Sequence, residues 1–138
     1  SITTGPSHAS YANYKGTSAL SEPESKALAD LANSTNWTMT ISYHSMGNLV
    51  YWDFAGNKVA EQSQALAELV TGITGYRTNR SSGKGGFKDY VQIKDSPIPS
   101  LTIEVGSVAC PMPASEFGNV WNSNQAILAA LAAYAADH

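Results

Sequence analysis

A short alternating stretch in the last third of the chain decides the fold: residues 99–106 read PSLTIEVG. Apolar and polar side chains alternate with a period of two, which is typical of a β-strand with two different faces. Glu104 lies between two apolar neighbours and shares a face with Thr102. Burying an unpaired carboxylate is costly or raises its pKa, as in a general base that works near neutrality. The alternative is a carboxylate on the solvent face of an edge strand.

Two further strands are predicted upstream. Residues 38–44 read TMTISYH and alternate in the same way, and residues 49–52 read LVYW after a Gly-Asn pair. His44 stands at the end of the first of these strands, and open α/β sheets bind their ligands at the carboxyl ends of strands. His44 is therefore a candidate site residue, although a single histidine is more often structural.

Three helices are predicted around these strands. A capping box, in which Ser21 accepts from the Glu24 amide, predicts a helix over residues 22–33. A second helix covers Ala60–Thr71, with Gly72 or Gly75 ending it. An alanine-rich third helix begins near Ser115 and runs to the end of the chain. The side chains expected to face inward are Leu28, Leu31 and Ala32, then Leu66, Leu69 and Val70, then Phe117, Val120, Trp121, Asn124, Ile127, Leu128, Leu131 and Tyr134. Helices alternate with strands, so the fold class is α/β.

Composition limits the functional classes. The chain has 138 residues, enough for one domain with one core, and we draw no internal boundary; residues 1–19 show no folded unit. A net charge of -3 without a basic stripe argues against nucleic acid as a partner. No apolar run is long enough for a membrane span. Because the chain has one cysteine, Cys110 is a free thiol or pairs outside the chain.

Residues 77–89 are polar and rich in glycine, which predicts a loop, and loops of this composition often carry function. Residues 83–86 read GKGG, without the spacing or the terminal Lys-Ser/Thr of a phosphate-binding P-loop. The chain also lacks the Gly-x-Ser-x-Gly motif of many serine hydrolases. These absences argue against a nucleotide site and weaken a serine-hydrolase interpretation.

The motifs taken in order are more specific than any one of them. Tyr14-Lys15-Gly16, a strand ending in His44-Ser45, then GGFKD at 85–89 and Thr102-Ile103-Glu104 resemble the second half of the zinc carboxypeptidase family. The resemblance covers nearly the whole chain. It is strongest for the bacterial branch of γ-D-glutamyl-diamino-acid endopeptidases, which act on cell-wall peptides. It implies an α/β/α fold whose mixed, mostly parallel sheet is flanked by helices.

The resemblance also implies roles for individual residues. His44 matches a zinc ligand of the family, and Glu104 matches the catalytic glutamate that moves the proton from water to the leaving amine. Lys88 and Asp89 match the pocket for the side chain on the leaving side, where a lysine would favour an acidic group such as diaminopimelate. The alternative for Lys88 is a solvated loop lysine. Ser81 occupies the usual place of the substrate-contacting tyrosine, and Tyr76 is the nearest tyrosine before it.

Two family motifs are missing. No histidine of this chain is followed by glutamate three residues later, so the His-x-x-Glu pair that supplies the other two zinc ligands is absent. Asn79-Arg80 lies on the wrong side of His44 to be the family's carboxylate-binding Asn-Arg pair, and we do not assign it that role. We therefore expect residues 1–138 to be the C-terminal portion of one catalytic domain. One zinc ion would then bind with its other two protein ligands outside the chain.

Three functional hypotheses follow. The first is a zinc-dependent peptidase that cleaves peptidoglycan peptides or acts at peptide C-termini, needs the missing N-terminal half as its partner, and works outside the cell, in the periplasm or at the cell wall. The second is a module that binds wall peptide or glycan without a complete zinc site. The third is a fragment with no function of its own, which would expose apolar surface where other strands should pair.

Overall fold

The computed structural model describes residues 16–83, 85–107, 109 and 111–138. The expectations for residues 1–15 and for Cys110 lie outside the described residues. In chain order the elements are α1 (Pro23–Asn33), β1 (Thr40–His44), β2 (Leu49–Tyr51), α2 (Ala60–Thr74), β3 (Arg77–Asn79), α3 (Phe87–Ile93), β4 (Ser100–Glu104), a 3-10 turn (Ala114–Glu116), α4 (Phe117–Asn124) and α5 (Ile127–Asp137).

The four strands form one mixed sheet in the order β1-β4-β2-β3. β1 and β4 are parallel, β2 and β4 are antiparallel, and β2 and β3 are parallel. This arrangement confirms the α/β class and the three predicted strands. β4 lies between two neighbours, so the prediction of an edge strand around Glu104, which was the alternative to a buried carboxylate, is wrong.

The main core covers one face of the sheet. Val50, Leu101 and Ile103 project from the strands onto α2 and α5 and are fully buried. From α2 the core receives Leu66 and Val70, as its apolar spacing predicts. Gly75 ends α2 in the left-handed conformation (φ 70°), which glycine adopts without strain. Burying each large apolar side chain stabilises the fold by about 1.5–3 kcal/mol, so this face of the sheet packs against α2 and α5. A functional site is therefore expected on the opposite face.

Some local predictions are wrong. The Ser21 hydroxyl donates to the Glu22 side chain and accepts from the Thr17 amide, so it does not cap α1. Leu28 and Leu31 are 46% and 53% exposed, because α1 packs through its small residues, Ala29 and Ala32.

Further differences lie in the second half of the chain. The predicted loop over 77–89 contains β3 and the start of α3, because pairing with β2 and packing on the sheet override its polar composition. The predicted C-terminal helix is divided into the 3-10 turn, α4 and α5. Its inward set is correct for Ile127 and Leu131, which are buried. Three of its members are exposed instead: Phe117, Trp121 and Leu128.

Candidate active site

The structure brings His44 and Glu104 together. They are register partners at the carboxyl ends of the parallel strands β1 and β4. Neighbouring strands lie about 4.8 Å apart, and register partners project from the same face, so an imidazole and a carboxylate stand side by side. The Val105 amide donates to the His44 carbonyl at 2.9 Å, which continues the pairing of the two chains just past both side chains.

A tight turn after His44 packs against Glu104. The Gly47 amide donates to the Gly106 carbonyl at 2.8 Å, which ties the turn to the chain that follows β4. A Cβ built on Gly47 would lie 3.9 Å from the Glu104 Cβ, so the turn is in contact range of the glutamate. His44 is exposed and Glu104 is half-buried. The pair is thus supported by backbone, and its imidazole is accessible to a metal or a substrate.

The face that carries His44 and Glu104 continues toward α3. Ser42 and Thr102 form the next row of register partners on that face. At the far end of β4, the buried Ser100 hydroxyl donates to the Lys88 carbonyl at 3.1 Å. Four residues of strand separate Ser100 from Glu104, which is roughly 13 Å at about 3.3 Å per residue. The β1–β4 part of this face is therefore polar, bounded by the His44–Glu104 pair at one end and by α3 at the other.

Lys88 is a buried residue of α3 and not a solvated loop lysine. It is 5% exposed, and its ammonium forms an ion pair with the Asp89 carboxylate. The ammonium also donates to the Asp53 carbonyl at 2.8 Å and to the Gln92 side-chain oxygen at 3.4 Å. Three acceptors thus surround its three hydrogens. A role for Lys88 in lining a substrate pocket stays a prediction.

Asp89 holds the start of α3. Its second carboxylate oxygen accepts from the Gly86 amide at 2.8 Å, while the first is paired with Lys88. Both contacts are local, and the one to Lys88 is buried, so Asp89 helps to fix the backbone around Lys88. Its part in binding substrate stays a prediction.

Tyr76 lies on the other side of the sheet from Glu104. It packs against the main core, and its hydroxyl accepts from the Asn124 side chain of α4 at 2.9 Å. Tyr43 is only partly buried, and that partial burial raises the pKa of its hydroxyl, with the proximity of Tyr76 adding to the rise. The structure therefore does not bring Tyr76 onto the His44–Glu104 face, and its contact with a substrate stays a prediction.

A buried polar network, defined here as Asp53, Ser63, Lys88, Gln92 and Ser100, was missed by sequence reasoning. The Gln92 side-chain amide donates to the carbonyls of Trp52 (2.8 Å) and Ser100 (3.0 Å). The Ser100 amide donates to the Ser63 hydroxyl at 3.2 Å. Apart from Lys88, which the family resemblance singled out, nothing in the local sequence marks these residues, because most of their partners are far apart along the chain.

Asp53 links this network to the surface. Its carboxylate accepts two hydrogen bonds from Arg80, at 2.9 and 2.5 Å, and one from Asn57 at 3.0 Å. Burial raises the pKa of Asp53, but the hydrogen bonds from Arg80, Asn57 and the Phe54 amide and the Arg80 charge outweigh it, so the pKa lies below its ordinary value. The Asn79-Arg80 dipeptide, noticed in the sequence but left without a role, was the only signal for this link.

The described residues do not form a full metal site by themselves. Within the described ranges no group of three or more His, Cys, Asp or Glu side chains is placed to hold a metal ion. A catalytic zinc needs three protein ligands. The accessible imidazole of His44 is suited to be one of them, and the described part of the chain does not complete the set.

Comparison with known proteins identifies the family of this chain. A model of the zinc carboxypeptidase family matches residues 3–127. The chain belongs to that family. The chain is also 34% identical over 110 residues to gamma-D-glutamyl-L-diamino acid endopeptidase 1 of Lysinibacillus sphaericus, covering 79% of this chain and 27% of that protein. It is 29% identical over 126 residues to the uncharacterized protein YqgT of Bacillus subtilis strain 168, covering 89% of this chain and 33% of that protein.

These matches confirm the family resemblance drawn from the motifs. The chain spans only 27% and 33% of the lengths of these two curated relatives. No helix in the described part of the chain is long and apolar enough to cross a membrane.

Proposed function

We propose that this chain forms part of a zinc-dependent peptidase that hydrolyses amide bonds in cell-wall peptides, at the bond between γ-D-glutamate and a diamino acid. Membership in the zinc carboxypeptidase family supports the reaction class. The activity for which the Lysinibacillus sphaericus relative is named supports the substrate. The observation that carries the proposal is the placement of His44 and Glu104 as register partners at the open end of the sheet.

In this proposal His44 is one zinc ligand and Glu104 moves the proton. Zinc, when bound, makes water acidic near neutral pH and polarises the carbonyl of the substrate. Glu104 accepts the proton of the attacking water and returns it to the leaving amine, so the carboxylate ends each cycle unprotonated. Its half-buried position beside the Gly47 turn limits its rotation, which keeps the carboxylate directed at the reacting atoms.

Lys88 is proposed to determine preference on the leaving side. The polar face that runs from Glu104 to α3 would hold the leaving residue, with Lys88 at its far end. Because Asp89 already neutralises the ammonium and its three hydrogens all have acceptors, this role requires that the carboxylate of the leaving residue replace one of those contacts. We expect a preference for a carboxylate-bearing diamino acid that is weaker than an unpaired lysine would give.

The remaining zinc ligands are proposed to come from the rest of the catalytic domain, docked on β1. The Thr40 amide bonds to the Pro99 carbonyl, and the His44 carbonyl accepts from Val105, so alternate residues of β1 face β4. The backbone groups of Ile41 and Tyr43 therefore face an edge where no described strand lies. Exposed apolar side chains concentrate in the same part of the chain: Leu28, Leu31, Trp37, Tyr43 and Met46.

The test uses the full-length protein that contains these residues, with Glu104→Gln as the key variant. We expect hydrolysis of a γ-D-glutamyl-diaminopimelate peptide to fall by about 10²–10⁴-fold while zinc content stays at the wild-type level. Glu61→Gln, an exposed carboxylate in the first turn of α2, is the matched control and should leave both unchanged. Turnover retained by Glu104→Gln would remove the general-base role.

A second candidate is a non-catalytic module that binds wall peptide or glycan. Its support is a set of exposed aromatic side chains that can stack on a sugar or a peptide: Trp37, Tyr43, Phe117 and Trp121. It predicts that the full-length protein binds wall fragments equally well with a chelator and hydrolyses none of them. Either hypothesis places the protein where the wall is, outside the cell or in the periplasm; fractionation of the producing cells tests that placement.

A further inference from the structure

A cavity lined by both polar and apolar side chains lies between α2 and the outer strand β3, away from the His44–Glu104 pair. Its volume is about 270 Å³, near the lower end of the range for small-molecule sites. β2 lies between β3 and the strand that carries Glu104. Arg77 is in register with Leu49 and Glu104, and the cavity lies beside the next residues of the chain, 78–80. It is lined by Trp52, Gln64, Ala67, Glu68, Thr78, Asn79 and Arg80.

Arg80 is fixed in place at one side of this cavity. The Asp53 carboxylate holds its Nε and Nη2 atoms, and the guanidinium carbon lies 5.3 Å from the centre of the Trp52 ring. The side chain is nevertheless 74% exposed. A guanidinium has five N–H donors, and Asp53 engages two of the nitrogen atoms, so donors remain for a ligand. An arginine fixed in this way loses little entropy when it binds a carboxylate.

Glu68 presents the opposite charge to the same cavity. It is exposed on α2, and its carboxylate accepts from the Gln64 side chain at 3.3 Å. Among the described residues, the ion pairs are Lys26–Asp30, Arg80–Asp53 and Lys88–Asp89, so Glu68 and Arg80 do not pair with each other. The Arg80 cation and the Glu68 anion thus line one cavity without forming an ion pair with each other. Such a cavity is suited to a ligand that carries both a negative and a positive group.

We propose that this cavity binds the zwitterionic amino-carboxylate group of an amino acid, with its carboxylate on Arg80 and its ammonium on Glu68. Trp52 would contact the aliphatic carbons, and Thr78, which projects toward α2 beside Val50, would contact the remaining polar atoms. The choice of a diamino acid as the natural ligand rests on the proposed function, since its second amino-carboxylate group remains free in a wall peptide. The site would retain wall peptides near the enzyme without taking part in hydrolysis.

The test measures binding of three probes by calorimetry, using the full-length protein with Glu104→Gln so that nothing is cleaved. Meso-diaminopimelate carries both charges at each end, pimelate carries carboxylates alone, and cadaverine carries amines alone. We expect meso-diaminopimelate to bind at least tenfold more tightly than either of the other two. Equal binding of the three probes would overturn the proposal.

Variants then locate the binding. Glu68→Gln should weaken meso-diaminopimelate binding by about tenfold, the loss expected for one charge-assisted hydrogen bond, and should leave pimelate binding unchanged. Glu61→Gln, on the same helix but outside the cavity, should have no effect. Wild-type affinity in Glu68→Gln would refute the site. Because these measurements need no turnover, their failure is distinguishable from failure of the proposed hydrolysis.

Discussion

Two polar regions of this molecule differ in how they are built. The His44–Glu104 pair stands at the open end of the sheet, where the side chains are exposed or half-buried and the support comes from backbone. The buried polar network lies at the other end of β4 and consists of residues that are at most 7% exposed. The first region is available for chemistry and the second holds α3 against the sheet. Substitutions in the first should therefore affect function, and substitutions in the second should affect stability.

The largest effect on stability is expected from Lys88→Met. This change leaves Asp89 as a buried carboxylate without its partner, which should cost about 3–5 kcal/mol in the free energy of unfolding. Lys26→Met is the matched control, since Lys26 also pairs with an aspartate on a helix but both side chains are 65% exposed. Its cost should be about 0.3–0.5 kcal/mol. Both free energies of unfolding are measured by urea unfolding. If the two variants lose similar amounts of stability, the buried polar network does not contribute more than an exposed ion pair.

A smaller effect, dependent on pH, is expected from Asp53→Asn. Because the pKa of Asp53 is lowered in the folded state, its carboxylate stabilises the protein fully above the pKa of unfolded aspartate, about 3.9. That contribution should decline as the pH falls below this value and through the lowered pKa. Asp53→Asn should be less stable than the wild type at pH 7, and the gap should narrow in acid. The measurement is urea unfolding of both proteins at several pH values. A difference in the free energy of unfolding that does not change with pH would contradict a lowered pKa for Asp53.

The smallest effect on stability is expected from His44→Ala. His44 is exposed, and its hydrogen bond to Val105 uses the backbone carbonyl, which alanine keeps. The free energy of unfolding should change by less than about 0.5 kcal/mol. Zinc content of the full-length protein, measured by atomic absorption, should nevertheless fall. Unchanged zinc would remove His44 from the ligands, and a large loss of stability would show that the open end of the sheet is also structural.

The sequence predicted the first region well and the second region poorly. The alternating stretches that end in His44 and Glu104 are continuous in the chain, so their faces and ends can be read from local pattern. Gln92 and Ser63 lie 29 residues apart, and the Gln92 amide also reaches Trp52, 40 residues away. No short-range pattern encodes such contacts. The same reason explains why Lys88, in a glycine-rich stretch, was assigned to a loop although packing buries it.

Errors in the helices have a related cause. Leu28 and Leu31 were expected inward because they are large and apolar, yet α1 packs closely through Ala29 and Ala32. In α4 and α5, the chain turns between Asn124 and Ile127, which moves Leu128 off the buried face of a continuous helix. The apolar period was present in the sequence. Which face of the helix is buried, however, depends on the element that packs against that helix.

The sequence by itself determined the α/β class and three of the four described strands, because strand alternation is local. His44 and Glu104 were proposed for the chemistry through the family resemblance, whose motifs are also local. Only the tertiary structure decided that His44 and Glu104 are register partners, that Lys88 is neutralised by Asp89, and that Arg80 and Glu68 share a cavity. Each of those facts depends on strand order and on packing between distant segments. Pairing across the sheet brings together residues that are 60 positions apart, and nothing within a single segment specifies that distance.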